Sequence, residues 1–324
     1  MNKILTLGAA ALASALLLSG CGTTQPTTDA AGRQGSKVTL TDATGHRITL
    51  DHPATKVIAT EWMPVEDLVT LGINPVGISD IKGYTRWNHS APLRTKPADI
   101  GTRGEPSMDT IARLSPDLIV ATQTLSSAAV KQMRAIAPVL VLQDGDRSDQ
   151  VGRMMTNLDQ LAKATGTAEQ ATKAKKDFHA KVAKSRQAIA DAGLQGTKVA
   201  NADGYKTSNQ ISIRAFTSGS QVGAMNELIG LKSAWALKPK ENSGLVTTDV
   251  EALTRLGDVP FLYIPWAGKE NDLFKQQMTH NALWKSMPFV KHDKVHRLDD
   301  TIWQFGGPRS MGRYAQAVAQ ALTA

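Results

Sequence analysis

The sequence predicts an α/β protein of two βα lobes joined by a long connecting helix. Three observations carry this reading. Short apolar runs alternate with helical periods between Lys56 and Leu142, Ser148 to Ala192 holds no strand-like run, and the alternation resumes after Gly196. The second stretch also echoes the first. Asp109 to Val120 reads DTIARLSPDLIV and Glu251 to Ile264 reads EALTRLGDVPFLYI, each an acid opening a short helix that ends in Arg-Leu, then a turn and a buried strand. The general look of βα units explains the echo equally well on its own. Its placement on both sides of a long helix makes two lobes the economical architecture, with residues 37–146 and 196–324 as lobes and 147–195 as the connection.

The elements follow in order. Residues 1–20 read as a signal peptide, because Lys3 precedes an uncharged, mostly apolar run of 16 residues, Ile4 to Ser19, shorter than the roughly 20 needed to span a bilayer. The run closes on Leu18-Ser19-Gly20-Cys21, which resembles the lipobox of bacterial lipoproteins and predicts a lipid on Cys21. Residues 22–36 are rich in Thr, Gly, Gln and Ala without an apolar period, so 21–36 is expected to be a lipidated N-terminus and flexible tether. Lys37 to Leu50 alternates around Ala43-Thr44-Gly45-His46, a hairpin signal. Strands are predicted at 56–60, 76–79, 117–122 and 139–142, and helices at 64–71, 107–114 and 126–136. In the middle segment Val151, Met154, Met155, Leu158 and Leu161 recur at helical spacing, with a break expected at Thr165-Gly166-Thr167.

Composition narrows the function. Cys21 is the single cysteine, so an internal disulfide, a CxxC pair and a Cys-based metal site are excluded. The net charge of +8 comes from 37 Lys plus Arg against 29 Asp plus Glu, spread along the chain without a basic block, so a nucleic-acid arm is not indicated. Catalytic motifs are missing: there is no GxSxG, GxxxxGK[ST] or GxGxxG, and Ser218 to Gly223 has the wrong spacing for a nucleophile elbow. His292 and His296 sit in HDKVH, not HExxH, and read as surface residues; Asp299-Asp300 reads as a loop pair.

Six tryptophans do stand out. Trp235 and Trp284 lie in apolar, helix-like contexts and are assigned to the core. Trp62, Trp87, Trp266 and Trp303 fall in predicted loops at strand ends, where aromatic walls of a cleft belong. Arg103, in a loop, and Arg214, after the alternating ISI of a strand, are candidate donors in the same cleft, with surface salt bridges as the plain alternative.

Those residues also carry a resemblance covering nearly the whole chain. The runs EWMPVE (61–66), GYTRW (83–87), IGTRGEP (100–106), SPDLI (115–119), NALWKSMP (281–288) and IWQFGGP (302–308) resemble the substrate-binding proteins of ferric-siderophore ABC importers, nearest to the ferric hydroxamate binders, with the ferric citrate and mixed citrate-hydroxamate binders close behind. The resemblance implies two α/β lobes, a connecting helix that permits modest closure, and a shallow cleft. It implies that Arg103 meets the oxygens around the iron, with Trp62, Trp87 and Trp303 as pocket walls; Tyr84 and Trp266 complete the expected ligand-binding set, and Arg214 signals carboxylates on the ligand. Asp109 and Glu251 would dock on the permease, one per lobe; an acid favouring the dipole at the start of a short helix explains each position equally well. One departure is Thr122-Gln123-Thr124-Leu125, where hydroxamate binders often place a tyrosine. The resemblance further implies a monomeric, lipid-anchored, extracytoplasmic binding protein that delivers its ligand to an ABC permease and its ATPase, with no catalysis, no cofactor and no metal held directly by the protein. An exported hydrolase of an iron chelator and a cobalamin or haem carrier of the same fold are the competing readings.

Overall fold

Two β-sheets, one from each side of the helical middle, frame the computed structural model, which describes residues 37–207, 210–265 and 272–324. The predicted hairpin comes first, as β1 (Val38–Thr41) and β2 (Arg47–Leu50), paired antiparallel. The first lobe then alternates β3 (Val57–Ala59), α1 (Trp62–Thr70), β4 (Gly77–Ile78), α2 (Ile81–Trp87), β5 (Ala98–Asp99), α3 (Met108–Leu114), β6 (Leu118–Thr122), α4 (Ser127–Arg134) and β7 (Val139–Leu142). Its strands lie in the order β5-β4-β3-β6-β7, all parallel. Strand order reverses between β3 and β6, and a crevice opens beyond the carboxyl ends of strands at such a point.

Two tryptophans predicted in loops stand in helices. Trp62 begins α1, because the Glu61 carboxylate accepts from its N–H at 2.7 Å and caps the helix two residues earlier than the Pro64 signal suggests. Trp87 ends α2, a seven-residue helix started by Asp80, whose side chain accepts from the Gly83 N–H at 2.9 Å.

The connection is two helices, α5 (Gln150–Thr165) and α6 (Ala168–Asp191), broken where the sequence placed the break. Gly166 holds φ +68 there, and a Cβ would press on Pro53. Met154, Leu158 and Leu161 of α5 are buried, as their spacing requires.

The second lobe contains β8 (Lys198–Thr207), β9 (Gln210–Phe216), α7 (Gln221–Leu228), β10 (Lys232–Ser233), β11 (Leu245–Thr248), a 3-10 turn at Glu251–Arg255, β12 (Phe261–Tyr263), α8 (Ala282–Ser286), α9 (Pro288–Lys291), β13 (Val295–Arg297) and α10 (Pro308–Thr323). Here the sheet is mixed. β8, β12 and β13 run parallel, while β9 and β11 add an antiparallel edge in the order β11-β9-β8-β12-β13, with β10 beside the start of β8. Its core is aromatic: Phe261 stacks on Phe289 at 5.2 Å and meets Trp284 edge-on at 5.3 Å. Trp235 is buried as expected, but in irregular chain after β10 and not in a helix; its Nε1 donates to the Asn201 carbonyl at 2.8 Å.

The lobes are tied together beneath the cleft. Glu66 of α1 is fully buried and accepts from the Ser310 N–H (2.8 Å), the Ser310 hydroxyl (2.6 Å) and the Asn88 amide (2.7 Å). It thereby caps the first turn of α10 from the other lobe. Burial raises the carboxyls of both Glu66 and its neighbour Asp67 above the ordinary range, and for Asp67 the charge of Glu66 adds to the effect. Gly307 allows this approach, since a Cβ there would overlap the Asp67 carboxylate. Among the described residues no helix is long and apolar enough to cross a membrane.

Candidate functional site

The chain segments leaving β3, β5, β6 and β7 converge on one cavity of about 230 Å³ between the lobes. The first lobe supplies Glu61, Met63, Arg103, Thr124 and Asp144, and α5 supplies Gln150. Arg214, Gln221, Ser243, Trp303 and Phe305 close it from the second lobe. Carboxyl-end loops of a parallel sheet point their side chains into such a crevice, so position in the fold explains why these residues meet.

A row of four aromatic rings runs behind the cavity from one lobe to the other. Trp62 meets Trp303 edge-on at 4.7 Å, Trp303 meets Phe305 edge-on at 5.2 Å, and Phe305 stacks on Phe216 at 5.9 Å. An arginine lies over each end. The Arg103 guanidinium sits 4.1 Å from the Trp62 ring centre and 5.4 Å from that of Trp303, while Arg214 sits 5.3 Å from Phe305 and 5.8 Å from Phe216.

Both arginines already hold a carboxylate. Arg103 Nη1 donates to Glu61 Oε1 at 2.8 Å. Arg214 faces Asp203 directly across the β8–β9 ladder and grips it with two prongs, Nε to Oδ1 at 2.9 Å and Nη2 to Oδ2. Asp203 is buried, and burial raises its carboxyl against the pull of Arg214. The carboxylate expected on the ligand of Arg214 is therefore supplied by the protein itself. Asp144 differs, since no cation among the described residues pairs with it. Loss of hydration at the cavity wall and the charge of Glu61 push its carboxyl up to about 6, against hydrogen bonds from Thr122 and Thr124.

Of the residues singled out in the sequence, Arg103, Arg214 and Trp303 line the cavity, and Trp62 backs it. Two do not reach it. Tyr84 is fully buried on the inner face of α2, donating to the Ala91 carbonyl at 2.6 Å, with its phenol pushed up by burial. Trp87 is half-buried against the first lobe's core, with Arg86 5.2 Å above its ring. Trp266 and Cys21 lie outside the described residues. Asp109, in the first turn of α3, and Glu251, opening the 3-10 turn, are both exposed, and no ion pair engages either one among the described residues. The sequence reading missed Glu61, Asp144 and Phe305. Glu61 and Phe305 stood inside recognised runs, and Asp144 follows the apolar run VLVL, so the carboxyl end of a predicted strand was the available signal.

Among the described residues no group of three or more His, Cys, Asp or Glu side chains is placed to hold a metal ion. His292 is exposed and faces Asp258 at 3.1 Å, Asp299 holds Arg313 at 2.7 Å, and half-buried Asp300 holds Arg297 at 3.0 Å, so each of these acids is engaged by a neighbouring side chain of the chain itself.

Residues 57–301 match the family described as periplasmic binding protein. A probable siderophore-binding lipoprotein of Bacillus subtilis is 24% identical over 97% of this chain and 96% of its own length. An Fe(3+)-citrate-binding protein of the same organism is 25% identical over 98% and 96%. Among solved structures, a siderophore-binding protein from Vibrio cholerae with Fe3+-Desferal bound superposes with a TM-score of 0.73 at 26% identity, covering 83% of this chain and 98% of that one.

Proposed function

Because the chain belongs to the periplasmic binding protein family, we propose that it captures a ferric siderophore of hydroxamate type outside the cytoplasmic membrane and delivers it to an ABC permease driven by its ATPase. The observation that carries this reading is the cavity itself, where an arginine over an aromatic wall faces open space from each lobe. A hexadentate chelator fills the coordination sphere of ferric iron with its own oxygens, so the protein needs N–H donors and flat apolar walls and no metal ligands of its own. Arg103 keeps spare N–H groups beyond its bond to Glu61, and a planar guanidinium suits paired oxygens. Relatives named as siderophore- and citrate-binding proteins support the ferric chelate, and the Desferal complex of the structural neighbour supports hydroxamates. The family and its relatives are binding proteins, and the chain is one too, not an enzyme.

Titrating tryptophan emission with ferric hydroxamates, ferric citrate, haem and cobalamin tests the reading. Ferric hydroxamates should quench Trp62 and Trp303 at the lowest concentrations; saturation by haem or cobalamin alone would overturn it.

The same reading places the protein on the outer face of the cell membrane through a lipid on Cys21, in keeping with relatives named lipoproteins. Cys21→Ser should release a binding-competent protein from membranes on cell fractionation, and full retention would refute the anchor. Exposed Asp109 and Glu251, one per lobe, are assigned to permease docking. Each contact is worth little alone, but two on one scaffold act together. Replacing both by Ala should lower uptake at limiting ligand without changing affinity in solution.

A further inference from the structure

The charges around the cavity point to the kind of hydroxamate it takes, an inference that rests on the function proposed above. Among the described residues that line it, both arginines are matched by carboxylates of the protein, Arg103 by Glu61 and Arg214 by Asp203. They offer hydrogen-bond donors but little net positive charge. Asp144 is left over, on the cavity wall and still open to solvent, with no cationic partner and with the charge of Glu61 acting on it. In a protein of net charge +8, the described residues lining the cavity thus carry one carboxylate in excess.

That balance has consequences for ligands. A ferric complex with several negative charges, as citrate or catecholate groups give, would bring anions against Glu61 and Asp144, with both arginines among the described lining residues already matched by carboxylates. A tris-hydroxamate complex is neutral at its iron centre, and its oxygens need only donors, which Arg103 supplies. A positive group on a flexible arm of the same ligand could then settle at the cavity wall against Asp144.

We propose that Asp144 makes the cavity select ferric hydroxamates bearing a pendant ammonium group over neutral and anionic ferric chelates. The carboxylate acts at the rim, so the arm stays partly hydrated and the pairing is modest. The expected preference is about five- to ten-fold, the range of a hydrogen bond to a charged group tempered by solvent.

The experiment compares two chelates that differ in one charge. The iron complex of Desferal is a linear trihydroxamate ending in an amine; acetylating that amine leaves the iron centre intact and removes the charge. Dissociation constants for both are measured by fluorescence quenching, with the parent protein and with Asp144→Asn. The parent should prefer the amine form about five- to ten-fold, less at high salt because the contact is screened, and Asp144→Asn should bring the two chelates to the same affinity. Equal affinities in the parent, or an unchanged preference in Asp144→Asn, would overturn the assignment while leaving hydroxamate binding standing. Failure of both chelates to bind the parent would instead remove the hydroxamate reading on which it depends. The salt series on the parent decides the question even should the variant fold poorly, since a preference that does not weaken with salt is not an ion pair.

Discussion

The first lobe presents its arginine on a loop and the second presents its arginine on a strand, and the two therefore do different work in one cavity. Arg103 leaves the segment after β5, lies over two tryptophans and touches Glu61 through one nitrogen. Arg214 is fixed by β-sheet register opposite Asp203, with both prongs engaged and the partner buried. A loop arginine keeps donors for a ligand, whereas a strand arginine in a two-pronged pair neutralises its own sheet. Residue type and location in the cleft are the same; what differs is whether the acid opposite is partly exposed or fully buried.

The largest consequence should appear in the second lobe. Arg214→Ala leaves Asp203 buried without its cation, which costs about 3–5 kcal/mol for a broken buried pair. A drop of that size in denaturant-derived stability is expected, and Arg214→Ala together with Asp203→Ala should recover part of it. If the single variant melts like the parent, the two arginines are not distinct in the way proposed. Next comes Arg103→Ala, expected to weaken ferric-hydroxamate affinity by about 1.5–3 kcal/mol, or roughly ten-fold to over a hundred-fold, with little change in melting temperature. Its partner Glu61 is partly exposed and tolerates the loss. Affinity equal to the parent's would remove Arg103 from ligand contact.

A smaller effect concerns pH. The carboxyl of Asp144 is pushed up to about 6, so it is ionised above that pH and neutral below. The preference for an amine-bearing chelate should be complete near pH 7.5 and fade as pH falls through about 6. The charges facing Asp144 across the cavity are those of Glu61, Arg103 and the Arg214–Asp203 pair, and none of these four should reverse the sign. A preference that grows on acidification would contradict the assignment. So would one that stays flat from pH 7.5 to 5.

The parallel strands of the first lobe were legible because they are buried on both faces and read as unbroken apolar runs, KVIAT and DLIVAT among them. The break at Gly166 was equally plain. α2 was not, since a seven-residue helix containing Gly83 and capped by Asp80 in a left-handed conformation leaves no periodic trace. Tyr84 was drawn into the site for that reason: its motif lay near the cleft in sequence, but helix phase turns the ring inward. The partner of Arg214 was hidden for a different cause. Asp203 sits eleven residues away on the neighbouring strand, and only the hairpin register, which the composition of either strand leaves open, sets them opposite each other. Asp144 was missed because a single acid after a strand looks like any loop residue until its neighbours are known to lack a cation.

The bond from Ser310 to Glu66 spans 244 residues of chain, which bears on when the protein can fold as well as on how it is held. Contacts of such separation close late, because the chain between must first be brought to order. Until α10 arrives, Glu66 lacks both donors of Ser310, and a buried acid short of donors opposes compaction of the first lobe. The first lobe therefore reaches its final packing only once α10 has joined it. The latch between the lobes thus also sets an order, with the first lobe completed only by a helix of the second.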